Sequence, residues 1–457
     1  MAFEIKTFLE GKRIIIVGCG REGISTYRFI RSILPEQPLS IADQDVNLPT
    51  RFPEFHTDIH LEFNLGLFYL SDLNDFDLII KTPGVSFKNL REQPLREKIS
   101  SQTDLFLRMF SKQITGITGT KGKSTTSSLI KHIVSKSTDN TVLVGNIGLP
   151  PFDMLHQINK QTVIVCELSS HQLQYIKVAP HISILLNLFE EHLDHYNSYL
   201  EYQYSKLNIA LCQQPGDHFI YNQDDKRIQA LVEDDSLPGK KHPFSALQEV
   251  KDGAWTNDTH LHLTLDSDNI FYDLNTPRHL PGSHNLLNIM AAILACTLNK
   301  IDSQYILDGL GDFKGLEHRI EYVGNYHGIR YYNDSISTIP QAAIAAVDTL
   351  KDVDTLILGG FDRGIDYTIL IDYLANSAIR NLIFIGDAGR RICQMLTKAG
   401  ITGKQFFMAE NYDEVVKFAR ENTLPGSICL LSPAAASFDM FKNFEERGKV
   451  FKEKVKV

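Results

Sequence analysis

The strongest constraint on the fold is a glycine-rich segment, Gly119–Ser124 (GTKGKS), which follows a short apolar run. The run, Gln113–Thr118, has the length and composition of a buried strand. A strand that enters a glycine turn and continues as a helix directs backbone amides at one point, where they attract phosphate. The sequence therefore predicts a parallel α/β sheet with a phosphate-binding loop at the end of one strand. We call this segment the second glycine loop, because another precedes it.

The residues at the end of this loop predict a nucleoside triphosphate as its ligand. Lys123 can reach the β- and γ-phosphate oxygens, and Ser124 can ligate Mg²⁺. The spacing is that of a shorter P-loop variant, since a strict Walker A motif needs a glycine at Ile117. An ordinary glycine turn with a solvated lysine is the alternative, which GKST directly after a strand disfavours. The predicted ATP contacts here are Gly119, Thr120, Lys121, Gly122, Lys123, Ser124 and Thr125.

The first glycine loop, Gly18–Gly23, has the pattern GxGxxG between a predicted strand, Arg13–Val17, and a helix. Asp43 follows about twenty residues later, where a dinucleotide-binding unit places its ribose ligand. By itself the pattern leaves NAD or FAD, another nucleotide, and a structural turn open. A dehydrogenase also needs a group of residues for hydride transfer, and none stands out.

Polar residues follow the other predicted strands of the central region. Glu167 ends the strand Gln161–Cys166, where an α/β sheet places a metal ligand beside a triphosphate. His192 lies in an acidic run after the strand His181–Leu188 and can add an imidazole to the same metal site, although a solvated loop is the alternative. Asn285 and Asn288 open a later helix, either as caps or as amides for an adenine edge.

Composition excludes several classes of protein. The formal net charge of −9 argues against a general nucleic-acid surface. The six cysteines show no CxxC spacing, which indicates free thiols in a reducing compartment. Neither a signal peptide nor an apolar segment long enough for a membrane is present. We therefore expect a cytoplasmic protein that binds neither nucleic acid nor membrane.

The 457 residues predict about three domains, since a domain averages roughly 150 residues. Short apolar runs alternate with helical-length segments, as in parallel α/β sheets. A turn-rich, β-like stretch covers residues 216–281, and Lys314–Arg319 is a predicted hinge. The remaining predicted strands are Leu78–Ile80, Arg330–Tyr332, Thr355–Leu358, Leu382–Ile385 and Ile428–Leu431.

Taken together, the motifs resemble those of the Mur ligase family over essentially the whole chain. The resemblance rests on GTKGKST, Gly145–Gly148, Glu167–Ser170, Glu191–Asp194, His284–Asn288, His318–Arg319, Asn333–Ser335, Gly359–Gly364 and Ser432–Asp439. It implies an α/β fold in three domains: a Rossmann-like UDP-binding domain (1–106), a central P-loop ATPase-like domain (107–314) and a C-terminal Rossmann-like domain that binds glutamate (315–457). On this analogy the first glycine loop holds a UDP-sugar rather than NAD.

The activity that the resemblance implies is an ATP- and Mg²⁺-dependent amide ligation in peptidoglycan precursor synthesis, by a monomer. The alanyl carboxylate of UDP-N-acetylmuramoyl-L-alanine would accept the γ-phosphoryl group, and the glutamate amine would attack the acyl phosphate. Segment 437–448 is similar to that of the members that add D-glutamate.

Site residues follow from the resemblance, position by position. It implies catalytic roles for Lys123, His192 and Lys206, with Lys206 carbamylated so that its oxygens bind a second Mg²⁺. A first Mg²⁺ would be held by Ser124 and Glu167. The implied UDP-substrate residues are Gly20, Arg21, Asp43, Thr82, Gly84 and Asn146; the nucleotide residues are Asn285, Asn288, Arg319 and Asp334; the glutamate residues are Thr338, Arg363, Ser437 and Phe444.

One departure bears on the amino acid. Segment 333–339 (NDSISTI) lacks the lysine that the family usually carries, and it looks like a branch that adds L-glutamate. We keep D-glutamate as the first prediction and L-glutamate as its alternative. A folylpolyglutamate synthase would not need the N-terminal unit, an NAD-dependent oxidoreductase would leave Lys123 and Glu167 unexplained, and a P-loop switch or motor would not need the third domain.

Overall fold

The computed structural model describes residues 2–88, 95–146, 149–191, 195–233, 237–257, 259–265, 268–274, 280 and 283–457. The chain divides into two compact units, Met1–Phe313 and Lys314–Val457. The described residues form three sheets of five, nine and six strands, so the predicted α/β class is confirmed. The predicted strands are confirmed as well, with ends that differ by up to three residues.

The N-terminal sheet has the order β3-β2-β1-β4-β5, and all of its strands are parallel. The chain moves outward from β1 in one direction and returns on its other side at β4, so the strand order reverses beside β1. Such a reversal opens a crevice at the carboxyl ends of the strands, where the first glycine loop lies. The elements are α1 (Ala2–Leu9), β1 (Ile14–Val17), α2 (Arg21–Ile33), β2 (Leu39–Asp43), β3 (Leu61–Leu65), β4 (Leu78–Lys81), β5 (Ile99–Ser100) and α3 (Gln102–Phe110).

The central sheet has the order β14-β13-β12-β11-β10-β9-β6-β8-β7, parallel except for the antiparallel β12-β13-β14 end. Strand β6, which leads into the second glycine loop, lies between β8 and β9. The elements are β6 (Ile114–Thr118), α4 (Lys123–Ser137), β7 (Thr141–Gly145), β8 (Val163–Glu167), α5 (Ser170–Leu173), β9 (Ile182–Leu185), α6 (Tyr199–Leu211), β10 (His218–Asn222), α7 (Lys226–Val232), β11 (Lys240–Ser245), β12 (Ala254–Thr256), β13 (His260–Leu265), β14 (Asp268–Asp273), α8 (Ser283–Leu298) and α9 (Ser303–Asp312).

The second unit contains the sheet β15-β16-β20-β17-β18-β19, whose first pair is antiparallel. Strand β20 lies between β16 and β17, so the loops after these strands leave side by side. The elements are β15 (Glu321–Tyr326), β16 (Ile329–Asn333), α10 (Pro340–Leu350), β17 (Val353–Gly359), α11 (Thr368–Asn376), β18 (Asn381–Ile385), α12 (Gly386–Lys398), β19 (Gln405–Ala409), α13 (Tyr412–Asn422), β20 (Ile428–Leu431) and α14 (Phe444–Lys454).

One apolar core joins the first two sheets. Phe29 of α2 packs against Phe152 with ring centroids 4.0 Å apart, and Phe106 of α3 approaches the same ring at 6.5 Å. These side chains belong to a continuous buried cluster that reaches strands of both sheets. Burial of aromatic side chains is a large stabilising contribution, which explains why residues 1–313 behave as one unit. The division of this unit into domains at about residue 106 stays a prediction.

Candidate functional site

The second glycine loop has a backbone that only glycine adopts without strain. Gly119 has a φ of 152° and Gly122, the N-cap of α4, a φ of 85°. A Cβ at Gly119 would lie 2.9 Å from the Leu186 Cβ, and one at Gly122 would lie 2.4 Å from the Asn288 Oδ1. Both glycines therefore allow a positive φ and a close approach to neighbouring elements.

Hydrogen bonds fix this loop to the end of β9. The Thr120 amide donates to the Asn187 carbonyl at 3.0 Å, and the Lys121 amide donates to the Asn187 Oδ1 at 2.8 Å. The Asn187 amide group returns a bond to the Lys121 carbonyl at 3.0 Å. The Lys123 Nζ bends over the loop and donates to the carbonyls of Gly119 and Thr120 at 2.9 and 3.0 Å. The lysine charge thus lies at the centre of the loop, as a phosphate cradle requires.

Lys206 lies behind the same loop. Its side chain is on α6, is only 2% exposed, and donates from Nζ to the Gly119 carbonyl at 2.9 Å. The ammonium also lies 5.1 Å from the centre of the Tyr202 ring. Burial lowers the pKa of Lys206 well below its usual value, and the charge of Lys123 lowers this pKa further. The ordinary state of a helix lysine, exposed and solvated, is therefore excluded at this position.

Glu167 ends β8, beside β6, with its backbone paired in register with Ile117. The residue is 1% exposed, and its Oε1 accepts a hydrogen bond from the Asn146 Nδ2 at 2.8 Å. Its Oε2 is shielded from solvent and has no hydrogen-bond partner among the described residues. A buried carboxylate oxygen in this state is costly unless a cation or a donor from a ligand completes it.

Of the other predicted metal ligands, one lies at the second glycine loop and one is not among the described residues. Ser124 lies in the first turn of α4, next to Lys123. His192 lies outside the described residues. Within the described ranges, no group of three or more His, Cys, Asp or Glu side chains is arranged to hold a metal ion. The described part of the chain therefore offers a carboxylate and a hydroxyl rather than a closed metal cage.

A cavity of about 790 Å³ opens beside the second glycine loop. The predicted residue Asn288 lines it, and its Nδ2 donates to the Asn285 Oδ1 at 3.1 Å. Phe189 and Arg227 also line the cavity, with the guanidinium 4.7 Å from the centre of the ring. This cation–π pair was not predicted from sequence, because its members are far apart in the chain. The volume is suited to a nucleotide-sized ligand.

In the first glycine loop, Gly18 and Gly23 pack so closely against their neighbours that no side chain fits at either position. A Cβ at Gly18 would lie 2.3 Å from the Thr82 Oγ1, and a Cβ at Gly23 would lie 2.2 Å from the Gly18 carbonyl oxygen. The Asp43 carboxylate accepts backbone amides from Cys19 at 2.7 Å and Asp45 at 2.9 Å. Asp43 therefore holds the loop itself. Three more predicted UDP-substrate residues lie exposed at this strand edge: Gly20, Arg21 and Gly84.

In the second unit, Asp334 directly follows β16 and is buried. Its Oδ1 accepts the Ile320 amide at 3.2 Å, and its Oδ2 accepts the Ser432 hydroxyl at 2.6 Å. Burial raises the pKa of Asp334 to about 6, although these hydrogen bonds and the charge of the exposed Arg319 oppose the rise. Asp334 therefore connects the segment around Arg319 to the loop after β20.

The predicted glutamate residues lie on the three loops that leave β16, β20 and β17. The Arg363 Nη2 donates to the Thr338 carbonyl at 3.3 Å. Ser437 is buried, and its carbonyl accepts the Phe441 amide at 2.9 Å. Phe444 begins α14, and its carbonyl accepts the hydroxyl of Ser335 at 2.8 Å. The structure therefore gathers these four residues at one strand edge.

Arg447 connects these loops and was not predicted as a site residue. It is 1% exposed, and its guanidinium donates to Ser335 and to the carbonyls of Ala435 and Ala436 at 2.8–3.1 Å. The Ala436 carbonyl also accepts the Phe361 amide at 2.9 Å, which attaches the loop after β17. Arg447 belongs to segment 437–448, which is similar to that of family members, but its place among charged residues gives no local sign that its side chain is buried.

The fold and these features define a class: an α/β protein whose central sheet carries a glycine loop with a lysine, beside a buried carboxylate and a buried amine. Residues 117–296 match the Mur ligase middle domain, and residues 318–435 match the Mur ligase glutamate ligase domain. The chain is 33% identical over 452 residues to UDP-N-acetylmuramoylalanine--D-glutamate ligase of Clostridioides difficile, covering 98% of this chain and 99% of that protein. It is 31% identical to the enzyme of the same name from a Thermoanaerobacter species, with 98% of each chain covered. The chain belongs to the Mur ligase family.

Solved structures show the same fold at lower sequence identity. UDP-N-acetylmuramate-alanine ligase from Thermotoga maritima is 18% identical, with a TM-score of 0.55 and coverage of 97% of this chain and 99% of that chain. MurF ligase from the same organism, solved in complex with ADP, is 15% identical, with a TM-score of 0.52 and coverage of 83% and 89%. No helix in the described ranges is both long and apolar enough to cross a membrane.

Proposed function

We propose that this chain is an ATP-dependent ligase that joins D-glutamate to the alanyl carboxylate of UDP-N-acetylmuramoyl-L-alanine in peptidoglycan precursor synthesis. The observation that carries the proposal is the carboxyl edge of the central sheet. There the second glycine loop, the unpartnered Glu167 oxygen and the buried Lys206 amine surround the end of β6. Similarity along the whole chain to D-glutamate ligases supports the choice of substrates.

The domain arrangement that we propose is 1–106 for the UDP-substrate, 107–314 for ATP and 315–457 for glutamate, in a monomer. The second glycine loop binds the triphosphate through its amides, and Lys123 neutralises charge on the β- and γ-phosphates. Asn285 and Asn288 contact the adenine in the cavity beside the loop. We assign Arg319 and Asp334 to the nucleotide on the resemblance alone.

The reaction proceeds in two steps. First, an oxygen of the alanyl carboxylate attacks the γ-phosphorus of ATP, which forms an acyl phosphate and releases ADP. The glutamate amine then attacks the acyl carbon, and inorganic phosphate leaves as the amide forms. Two anions must meet in the first step, so positive charge at the loop is the main catalytic requirement. Lys123 supplies such a charge from within the loop.

The described residues fit a Mg²⁺ ion. Mg²⁺ commonly binds through one or two carboxylates together with phosphate oxygens, so a closed protein cage is not needed. Glu167 provides a buried oxygen without a partner, and Ser124 provides a hydroxyl at the start of α4. We assign His192 to a second ion on the resemblance alone. When bound, Mg²⁺ neutralises phosphate charge and orients the γ-phosphoryl group.

For Lys206 we propose carbamylation. The lowered pKa favours the neutral amine, which adds to the carbon of CO₂ and loses a proton to give an anionic carbamate. Lys206→Ala should lose at least ~100-fold in kcat, and short carboxylic acids should restore part of it. The matched control is Lys121→Ala, whose exposed side chain pairs with Glu191 and should show no rescue. Full activity of Lys206→Ala, or a loss without rescue, refutes the carbamate.

The first glycine loop holds the UDP part of the substrate, with Gly20 and Arg21 beside the diphosphate and Asp43, Thr82 and Gly84 beside the uridine. Asn146 reaches the substrate from the end of β7. In the second unit the incoming amino acid contacts Thr338, Arg363, Ser437 and Phe444. Guanidinium and hydroxyl donors suit a dicarboxylate, which supports this assignment.

The deciding experiment measures phosphate release with ATP, Mg²⁺ and UDP-N-acetylmuramoyl-L-alanine, with each glutamate enantiomer in separate reactions. We expect release with D-glutamate, and no release when either the amino acid or the UDP-substrate is omitted. Release with L-glutamate only would transfer the proposal to the L-adding branch that segment 333–339 resembles. No release with either enantiomer refutes the ligase. The oxidoreductase alternative has no support, since the curated relatives are ligases along their whole length.

A further inference from the structure

Glu22 is a charged residue inside the first glycine loop that the proposed function does not use. It lies in the first turn of α2, and its Oε1 accepts a hydrogen bond from the Gln172 Nε2 at 2.7 Å. The two residues are 150 positions apart and lie on helices α2 and α5, which follow strands of different sheets of the first unit. Its Oε2 is shielded from solvent and without a hydrogen-bond partner among the described residues. The carboxylate therefore points away from the loop surface and into the junction between the sheets.

Gln172 is held at its other end by Ser169. The Gln172 Oε1 accepts the Ser169 amide at 3.0 Å and the Ser169 hydroxyl at 3.1 Å. The Ser169 hydroxyl also accepts the Gln172 amide, which completes a capping box at the start of α5. The oxygen and the nitrogen of the Gln172 side-chain amide are both hydrogen-bonded, so this group cannot rotate without breaking one of these bonds.

Ser169 is two residues after Glu167, at the turn that ends β8. The turn is anchored on its other side, because the Leu168 amide donates to the Ile117 carbonyl at 2.8 Å. Asn146 donates to Glu167 from both its backbone and its side chain, at 2.9 and 2.8 Å. A continuous series of contacts therefore runs from Glu22 through Gln172 and Ser169 to the strand end that carries Glu167.

Electrostatics support the same connection. Burial raises the pKa of Glu22 to about 6, while the Gln172 hydrogen bond and the charge of Lys81 stabilise the ionised form. Lys81 is itself buried at the end of β4, beside the first glycine loop. Near neutral pH the Glu22 charge is therefore held between the N-terminal sheet and Gln172. A buried hydrogen bond to a charged group is stable only over a narrow range of geometries, so displacement of either partner costs free energy.

We propose that Glu22 is a positioning residue that couples the UDP-substrate loop to the Glu167 strand end through Gln172 and Ser169. The inference rests on the proposed function, because it assumes that the first glycine loop binds the UDP-substrate. Displacement of α2 by an incorrectly seated substrate would move Gln172 and, with it, the turn beside Glu167. Phosphoryl transfer then depends on correct occupancy of a loop in another sheet, since small misplacements at a reacting centre cost large factors in rate.

The test exchanges the two partners. Gln172→Glu keeps the acceptor for Ser169, since glutamate suits a capping box as well as glutamine does, but it sets two carboxylates against each other. The double variant E22Q/Q172E restores one donor and one acceptor with the roles reversed. Ser25→Ala is the matched control, because it removes a different hydrogen bond of α2 across the same junction, to Asp153 at 2.6 Å.

We expect Q172E to lose about tenfold in kcat, and the double variant to recover to within about threefold of the native enzyme. Calorimetry adds a readout that a purely structural role would not change. In the native enzyme a non-hydrolysable ATP analogue should alter the affinity for UDP-N-acetylmuramoyl-L-alanine by about fivefold or more. Q172E should abolish this coupling, E22Q/Q172E should restore it, and S25A should leave it unchanged.

Native coupling that Q172E leaves intact, or a double variant that fails to recover, overturns the proposal. If Q172E alone does not fold, the double variant must restore both folding and coupling, and its failure to do so overturns the proposal equally. Absence of turnover by the native chain would instead refute the ligase assignment. The two failures are therefore distinguishable in one set of measurements.

Discussion

The two glycine loops have the same local design and use it differently. Each follows a buried strand and opens a helix, and in each a Cβ at a glycine would collide with a neighbouring element. In the second loop the lysine of the first helical turn bends back over the loop carbonyls. In the first loop the exposed Arg21 occupies the equivalent first position of the helix, and the next residue, Glu22, points into the sheet junction. The comparison shows that one backbone design can direct a charged residue of its first helical turn either over the loop or into the interior of the protein.

The largest effect is expected from removal of Lys123, the residue whose position over the loop distinguishes the second glycine loop from the first. Lys123→Ala should lower kcat about 10³-fold, because it deletes the charge that meets the γ-phosphate. The free energy of unfolding should change little, since this lysine is only partly buried. Steady-state kinetics measures the loss, and calorimetry should show unchanged binding of the UDP-substrate at the first loop. A loss of kcat smaller than tenfold would mean that the two loops are more alike than proposed.

In the second unit, a buried arginine connects the loops that follow β16, β17 and β20. Arg447→Ala removes the donor to the carbonyls of Ser335 and Ala435 and one of the two donors to the Ala436 carbonyl, and should cost about 3 kcal/mol of unfolding free energy. The KM for glutamate should rise as well, because the loops that carry its ligands separate. Lys449→Ala, an exposed change on the same helix, is the control and should stay within about 0.5 kcal/mol. Chemical denaturation measures both variants.

The packing role of the first loop predicts a moderate effect on stability. Gly23→Ala places a Cβ 2.2 Å from the Gly18 carbonyl oxygen, so the helix and strand must separate. We expect a loss of about 2 kcal/mol in unfolding free energy. Gly20→Ala, where a Cβ meets nothing within 4 Å, should change stability by less than about 1 kcal/mol. Equal losses at the two positions would show that close approach is not what the GxGxxG spacing provides here.

The smallest expected effect is a loss of stability at acid pH, which limits the pH range in which the loop variants should be compared. The pKa of His218 is lowered to about 4, by burial and then by the nearby His242, whose Nε2 lies 2.9 Å from the His218 Nδ1. The unfolded chain binds this proton first as the pH falls, so stability should decrease between about pH 6.5 and about pH 4. His218→Gln should reduce that slope in thermal unfolding. A slope that the substitution leaves unchanged would assign the acid sensitivity to other groups.

Features that depend on neighbouring residues in the chain were predictable. A strand, a glycine turn and a helix are local, so both loops, Lys123 and the strand that ends in Glu167 follow from spacing alone. The contact between Glu22 and Gln172 was not predicted, because the two residues are 150 positions apart in the chain.

The sequence by itself determined the α/β class, the place of the second glycine loop between a strand and a helix and, through its motifs, the Mur ligase resemblance. Only the tertiary structure decided that Lys206 is buried, that Glu22 meets Gln172 and that Arg447 joins three loops. The reason is physical: burial and long-range hydrogen bonds depend on which elements the sheet order brings together. Strand β6 lies between β8 and β9, and β20 lies between β16 and β17, although each set is scattered along the chain. The shifted pKa of Lys206 and the positioning role proposed for Glu22 arise only when the tertiary structure brings these strands together.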